Sequence, residues 1–238
     1  MRHLSPIQHL WPVLTDLIAM RLRPTSSGRT HTIPALDIEI DDVRATYETN
    51  VFGPMFVVKA FAPQLIQARG LIINISSTSA QVPYLFGAIY SSTKGAIDTW
   101  SRALRLELKP LGVRVMVAIT GTVRSNIASR QHRSLPADSY YQPIRDVFEK
   151  RLTFSQNNAT MPTEEYAKAL VSQALRGEGY LGGWLFGTPD WFWKGGLSRV
   201  VWFTTLLPRS WSEAAYGIYW GVASMTSRLS ASLSKKRV

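Results

Sequence analysis

Two alternating rhythms run through the hydrophobic and polar positions of the chain. Gly70-Leu71-Ile72-Ile73-Asn74-Ile75-Ser76-Ser77 is a short β-branched apolar run closed by small polar residues, the pattern of a buried parallel strand. Val113 to Ile119 repeats it. Between them, Ala88 to Leu108 places Ala96, Trp100, Ala103, Leu104 and Leu108 at helical spacing, and Pro110 with Gly112 ends the run. Upstream, Asp41 and Asp42 open a helical stretch reaching Gln67, their charges lying where the helix dipole favours anions. Pro54 inside it predicts a kink or a freed carbonyl. Downstream, Met161 to Arg176 predicts a further helix, with Pro162 or Thr163 at its cap and Glu164 and Glu165 in the first turn. Helices alternating with buried strands define an α/β class with a parallel sheet.

The two ends depart from that rhythm. Met1 to Arg23 has apolar residues at helical period, but Pro12 and Asp16 interrupt it and it is too short to span a membrane. Residues 1–27 therefore read as a leader and 28–179 as the sheet-and-helix domain. Residues 180–238 read as a helical, Trp-rich and basic extension. Six of the eight tryptophans fall there: Trp184, Trp191, Trp193, Trp202, Trp211 and Trp220. Its uncharged runs, between Arg199 and Arg209 and between Glu213 and Arg228, are shorter than the ~18–20 residues a membrane span needs. Aromatic and basic residues around short apolar runs suit anchoring at a membrane surface; packing on the core is the alternative.

Composition narrows the partners. The 238 residues carry a formal charge of +11, which favours anionic partners such as nucleotide cofactors, phosphorylated substrates or acidic membrane surfaces. No zinc-finger spacing and no dense basic run among aromatics supports nucleic acid. The absence of cysteine excludes disulfides, thiolate metal sites and thiol catalysis, and fits a cytosol-facing protein.

The candidate chemistry lies at the strand-to-helix junction. Ser77 closes the first strand, Tyr90 follows thirteen residues later (90 − 77), and Lys94 is one helical turn beyond. Tyr-x-x-x-Lys on a helix puts both side chains on one face. A phenol titrates near pH ~10 unaided, and a neighbouring ammonium favours the phenolate, bringing it toward the range useful for general acid–base catalysis. Ser77 is placed to orient a carbonyl.

Ser77, Tyr90 and Lys94, with Asn50 in Glu48-Thr49-Asn50-Val51, resemble the Asn-Ser-Tyr-Lys tetrad of the short-chain dehydrogenase/reductase family. The resemblance covers Gly28 to Arg176 and, more loosely, the segment that follows. It implies a ketone reduction or alcohol oxidation in which Tyr90 moves the proton and Lys94 lowers the phenol's pKa and binds ribose hydroxyls. Ser77 holds the carbonyl, and Asn50 orders the proton relay through its backbone carbonyl. Thr120-Gly121-Thr122-Val123-Arg124-Ser125 resembles the family's nicotinamide grip, which makes Val123 and Ser125 candidate cofactor contacts, with a simple β-turn as the other reading. The implied cofactor is NADP, with NAD as the other candidate. Ser26-Ser27-Gly28 stands where the family has Asn-Asn-Ala-Gly. The glycine-rich phosphate turn and its βα units, which need about 80–90 residues, have no counterpart before Thr30. The resemblance implies a Rossmann-like doubly wound parallel sheet truncated at its N-terminal side, which disfavours cofactor binding.

Pro83, Tyr84 and Phe86 are read as a wall of the substrate pocket or as packing, and residues 126–159 as a substrate lid. Arg130, His132 and Arg133 are either a phosphate site or solvated surface. Trp191 to Trp211, with Leu36 to Gly53, resembles a fungal NADPH-dependent subgroup related to 1-acyl-dihydroxyacetone-phosphate reductase. That implies a lipid-like or secondary-metabolite substrate and a place at the cytosolic face of the endoplasmic reticulum or a lipid droplet; a cytoplasmic location is the alternative. Lys235-Lys236-Arg237-Val238 looks like a retrieval signal. The family also implies a homodimer through the helices at 41–68 and 88–109. A non-catalytic homologue that binds a membrane or partner is the competing reading.

Overall fold

The computed structural model describes residues 28–125, 133–158, 161–179 and 186–235. The leader, Arg130, His132, Trp184 and the last three residues lie outside them. Three strands, β1 (Leu71–Ser77), β2 (Arg114–Thr120) and β3 (Trp191–Lys194), form one parallel sheet in the order β1-β2-β3. Leu71 pairs with Arg114 and Ser77 with Thr120, so the carboxyl ends of β1 and β2 finish level. Ligands of such sheets sit beyond those ends. The central strand is apolar because both faces are covered: Val115 to Ile119 are each at most 3% exposed.

Helices α1 (Ile40–Tyr47) and α2 (Gly53–Gln67) are joined by a π-wound turn at Glu48–Phe52. Pro54 has no N–H to give the Asn50 carbonyl in α register, which accounts for the wider winding at this point. Helix α3 spans Ala88–Leu108, α4 Arg145–Asn157 and α5 Thr163–Ala174, followed by α6 (Ser198–Thr204), α7 (Arg209–Tyr219) and α8 (Val222–Lys235). Two layers cover the sheet. Leu65 of α2 and Leu104 of α3 pack with Ile72, Val113 and Val115 on one face. Tyr166, Leu170 and Ala174 of α5 pack with Leu71, Met116, Ala118 and Phe192 on the other. Each buried Val, Leu, Ile, Met or Phe among them contributes roughly 1.5–3 kcal/mol. A third cluster of Phe86, Leu135, Ile144, Phe148 and Met225 ties α8 and the segment before α4 to the loop preceding α3.

The segment beyond residue 180 also contributes to the sheet. Trp191–Lys194 pair with Val117 to Thr120 as the third strand, and Phe192 is a core residue. Only four residues long and mostly aromatic, this strand lacks the β-branched run that marks β1 and β2 in the sequence. The end of the chain then divides. Trp220 packs inward against Tyr84 and Phe154, whereas Trp202, Phe203, Leu206, Leu207, Trp211 and Ile218 are exposed. Among the described residues, no helix is long and apolar enough to cross a membrane.

Candidate functional site

A cleft of about 1730 Å³ opens beyond the carboxyl ends of β1 and β2, and Asn50, Ser77, Tyr90, Lys94, Val123 and Ser125 all line it. The strand end brings Ser77, the first two turns of α3 bring Tyr90 and Lys94, and the π-wound turn brings Asn50. Thus the sequence spacing becomes proximity in space.

The Ser77 hydroxyl accepts from the Ser79 backbone N–H at 3.2 Å, which fixes it at the strand end. It stands close enough to Tyr90 to favour the phenolate. Burial nevertheless dominates and pushes the Tyr90 phenol up to about 12, with Ser77 pulling down and Tyr84 adding to the rise. Lys94 is deeply buried, and desolvation pulls its amine down to about 8, opposed by the nearby Asp98 carboxylate. Its Nζ donates to the Ile75 carbonyl at 2.9 Å and lies 5.7 Å from the centroid of the Tyr90 ring. Lys94 thus stands beside the Tyr90 ring while its amine is held against β1.

The Asn50 side chain makes three hydrogen bonds. Its Oδ1 accepts from Arg29 N–H at 2.8 Å, and its Nδ2 donates to the Arg29 carbonyl at 2.8 Å and to Thr93 Oγ1 at 3.1 Å. Arg29 and the body of α3 are thereby fastened to the π-wound turn. Asp98, one turn beyond Lys94, was not singled out by sequence reasoning, although its i+4 spacing was the available signal. Gln81 Nε2 donates to its Oδ2 at 2.5 Å, its Oδ1 has no hydrogen bond among the described residues, and burial pushes its carboxyl up to about 6.

The Thr120 to Ser125 segment is built around a close backbone crossing. Thr122 and Gly196 exchange backbone hydrogen bonds of 2.9 Å each, and a Cβ on Gly121 would collide with the Gly196 carbonyl. Gly121→Ala should consequently cost about 1–3 kcal/mol or more, as overpacking does; a denaturation midpoint unchanged from wild type would contradict this crossing. Arg124 N–H bonds to Met161 O at 2.9 Å, and Met161 N–H to Thr122 O at 3.0 Å. Between them the backbone N–H and C=O of Val123 make no hydrogen bond among the described residues. Ser125 contributes its N–H to Gln156 Oε1 at 3.3 Å.

Arg133 is no free phosphate ligand, since its Nη1 pairs with Asp42 Oδ2 at 2.6 Å. Asp42 also meets Arg29 and His31. Sequence distance hid this pairing. Tyr84, expected at the pocket wall, does line the cleft, together with Arg151, Phe154, Tyr219 and Trp220, which sequence reasoning did not find.

A parallel sheet with helices on both faces, ending in a Ser-Tyr-Lys cluster at its carboxyl edge, defines a Rossmann-like oxidoreductase architecture. The short chain dehydrogenase family model matches residues 25–135. The short-chain dehydrogenase srdE of Neurospora crassa is 33% identical over 213 residues, covering 89% of this chain and 70% of that protein. The chain belongs to the short-chain dehydrogenase/reductase family. It is also similar to fogD, a short-chain dehydrogenase of Aspergillus ruber, at 35% identity over 82% of this chain and 64% of that one. The NADPH-dependent 1-acyldihydroxyacetone phosphate reductase of Saccharomyces cerevisiae is 40% identical over 63% of this chain and 50% of its own length. The chain thus spans only part of the length of these relatives. Among solved structures, a short-chain dehydrogenase from Streptomyces avermitilis superposes with a TM-score of 0.62 at 22% identity, over 92% of this chain and 76% of that one, a likeness of fold.

Proposed function

We propose that this chain is an NADPH-dependent carbonyl reductase for a lipid-like or secondary-metabolite ketone. The observation that carries the reading is the half-buried Tyr90 phenol, with Ser77 against it, on the wall of a deep cleft. With its pKa raised to about 12, the phenol keeps its proton at neutral pH, the state a general acid needs in the reductive direction. Ser77 Oγ, fixed by Ser79, is placed to donate to a substrate carbonyl oxygen while Tyr90 protonates it. The nicotinamide end of the cofactor fits the residues present. The unpartnered N–H and C=O of Val123 suit a carboxamide, Ser125 flanks them, and Lys94 is the cation at hand for ribose hydroxyls. Bound there, the cofactor supplies a hydride. No glycine-rich cradle for its pyrophosphate occurs among the described residues. Ketone-dependent oxidation of NADPH by the purified chain is the expected result; none across aliphatic and aromatic ketones would contradict the reading.

A second reading has an observation of its own. The Lys94 amine already donates to Ile75, an arrangement that suits a non-catalytic homologue as well as a resting enzyme. Cofactor binding separates the two.

The reading extends to a membrane surface. Exposed Trp202, Phe203, Leu206 and Leu207 between Arg199 and Arg209, with exposed Trp211 just beyond, have the composition of an interfacial patch. Co-sedimentation with vesicles containing phosphatidylinositol is expected, falling at least about tenfold in Phe203→Glu/Trp211→Glu. Wild-type protein left in the supernatant would contradict it. Phe56 and Leu106, exposed on α2 and α3, suit the homodimer expected through these helices; a sedimentation mass of one chain would count against that.

A further inference from the structure

The cleft contains a buried cation that the proposed chemistry does not use. Arg151 of α4 is 4% exposed, yet it lines the cavity shared by Tyr90 and Ser77. Its Nε donates to the Leu85 carbonyl at 2.8 Å, and its Cζ stands 3.5 Å from the centroid of the Tyr84 ring. Trp220 at 5.7 Å and Phe154 at 6.0 Å complete an aromatic surround. Among the described residues no carboxylate pairs with this guanidinium, and neither Nη makes a hydrogen bond. Neither is sealed away from the cavity. Acids on the same helix are otherwise engaged: Asp146 with Arg228, and Glu149 with Arg145.

A buried, unpaired charge is costly, and contacts with ring faces offset only part of the cost. A planar fork of N–H donors left open toward a cleft matches the oxygens of a carboxylate or phosphate. Tyr84 links this cation to the reacting end, because it packs beneath the guanidinium and lines the same cleft as Tyr90. Tyr84 is itself held by a tight turn: a Cβ on Gly87 would press on its ring and carbonyl at 3.0 and 3.2 Å.

We propose that Arg151 is a specificity determinant that binds an oxyanion, a carboxylate or phosphate, on a substrate whose apolar or aromatic body rests among Tyr84, Phe154 and Trp220. Calling the ligand a substrate rests on the reductase reading; the anion site itself does not. The two are separated by measuring binding without turnover. Para-acetylbenzoate, para-acetylphenyl phosphate and the neutral methyl para-acetylbenzoate share one aryl ketone. In calorimetric titration of the full chain, at least one acid should bind about tenfold or more tightly than the ester, the scale of one charge-assisted contact. The tighter acid names the oxyanion. That gap should close in Arg151→Met, shrink in Arg151→Lys, which keeps the charge but loses the fork, and persist in Tyr90→Phe. Acids and ester binding alike, neither acid binding, or a gap undiminished in both Arg151 variants would overturn the proposal. Because Arg151→Lys retains the cation, it serves if the methionine variant does not fold. Loss of turnover in Tyr90→Phe with the gap intact separates failure of the catalytic reading from failure of this one.

Discussion

Tyr90→Phe is expected to lower ketone-dependent NADPH oxidation by about 10²–10⁴-fold, the usual contribution of a positioned general acid. The loss should fall on kcat more than on KM, since the ring remains as a wall of the cleft and only the proton donor is removed. The fold should survive, because the phenol's neighbours in the cleft are Ser77 and Tyr84 and the ring keeps its packing. A variant that reduces ketones at the wild-type rate would assign the proton to another group. Asp98 would be the first to examine, being the other group with a strongly raised pKa in this region.

Lys94→Met is expected to abolish reduction and to stabilise the fold, a combination that distinguishes a functional cation from a structural one. The amine titrates at about 8 in the folded chain against an ordinary 10.5, because burial disfavours its charge. The sign follows from linkage. Between those values the unfolded chain holds the proton that the folded chain has released, so stability rises as pH climbs through that interval. As pH falls through about 8 the folded state must carry a buried ammonium, and that stability is lost. Removing the amine relieves a penalty on the order of 3 kcal/mol at neutral pH. Part of it is offset, because Asp98 loses the cation that favours its charge. Denaturant unfolding below and above pH 8 should show the variant ahead of wild type at the lower pH, with the difference narrowing above it. A variant less stable than wild type at neutral pH would mean that the Ile75 contact outweighs desolvation. In wild type, reduction should decline above about pH 8 as the ammonium is lost.

The parts of this fold that were legible in the sequence are those governed by local pattern. The run closing at Ser77 and the helix Ala88–Leu108 lie where apolar period and stop signals put them, because short-range sterics and burial act in the same direction there. The second strand lies one residue later than its apolar run. The π-wound turn was visible only as Pro54, a missing donor whose consequence depends on how the rest of the helix packs. Trp191–Lys194 was hidden because a four-residue aromatic strand has the same composition as an interfacial patch. Its identity comes from its pairing with β2. Asn50 was found as a position, but its side-chain clamp on Arg29 joins residues 21 apart. Arg151 gave no signal at all. Its significance lies in the absence of a paired carboxylate among the described residues, which no spacing along a chain can reveal.

The central claim is that this cleft holds a nicotinamide cofactor against Tyr90. Fluorescence titration of the purified 238-residue chain with NADPH tests it most directly. The expected result is saturable binding, with Kd on the order of micromolar to tens of micromolar, retained in Tyr90→Phe and weakened in Lys94→Met. No saturable binding would contradict the reductase and leave the family's fold without its chemistry.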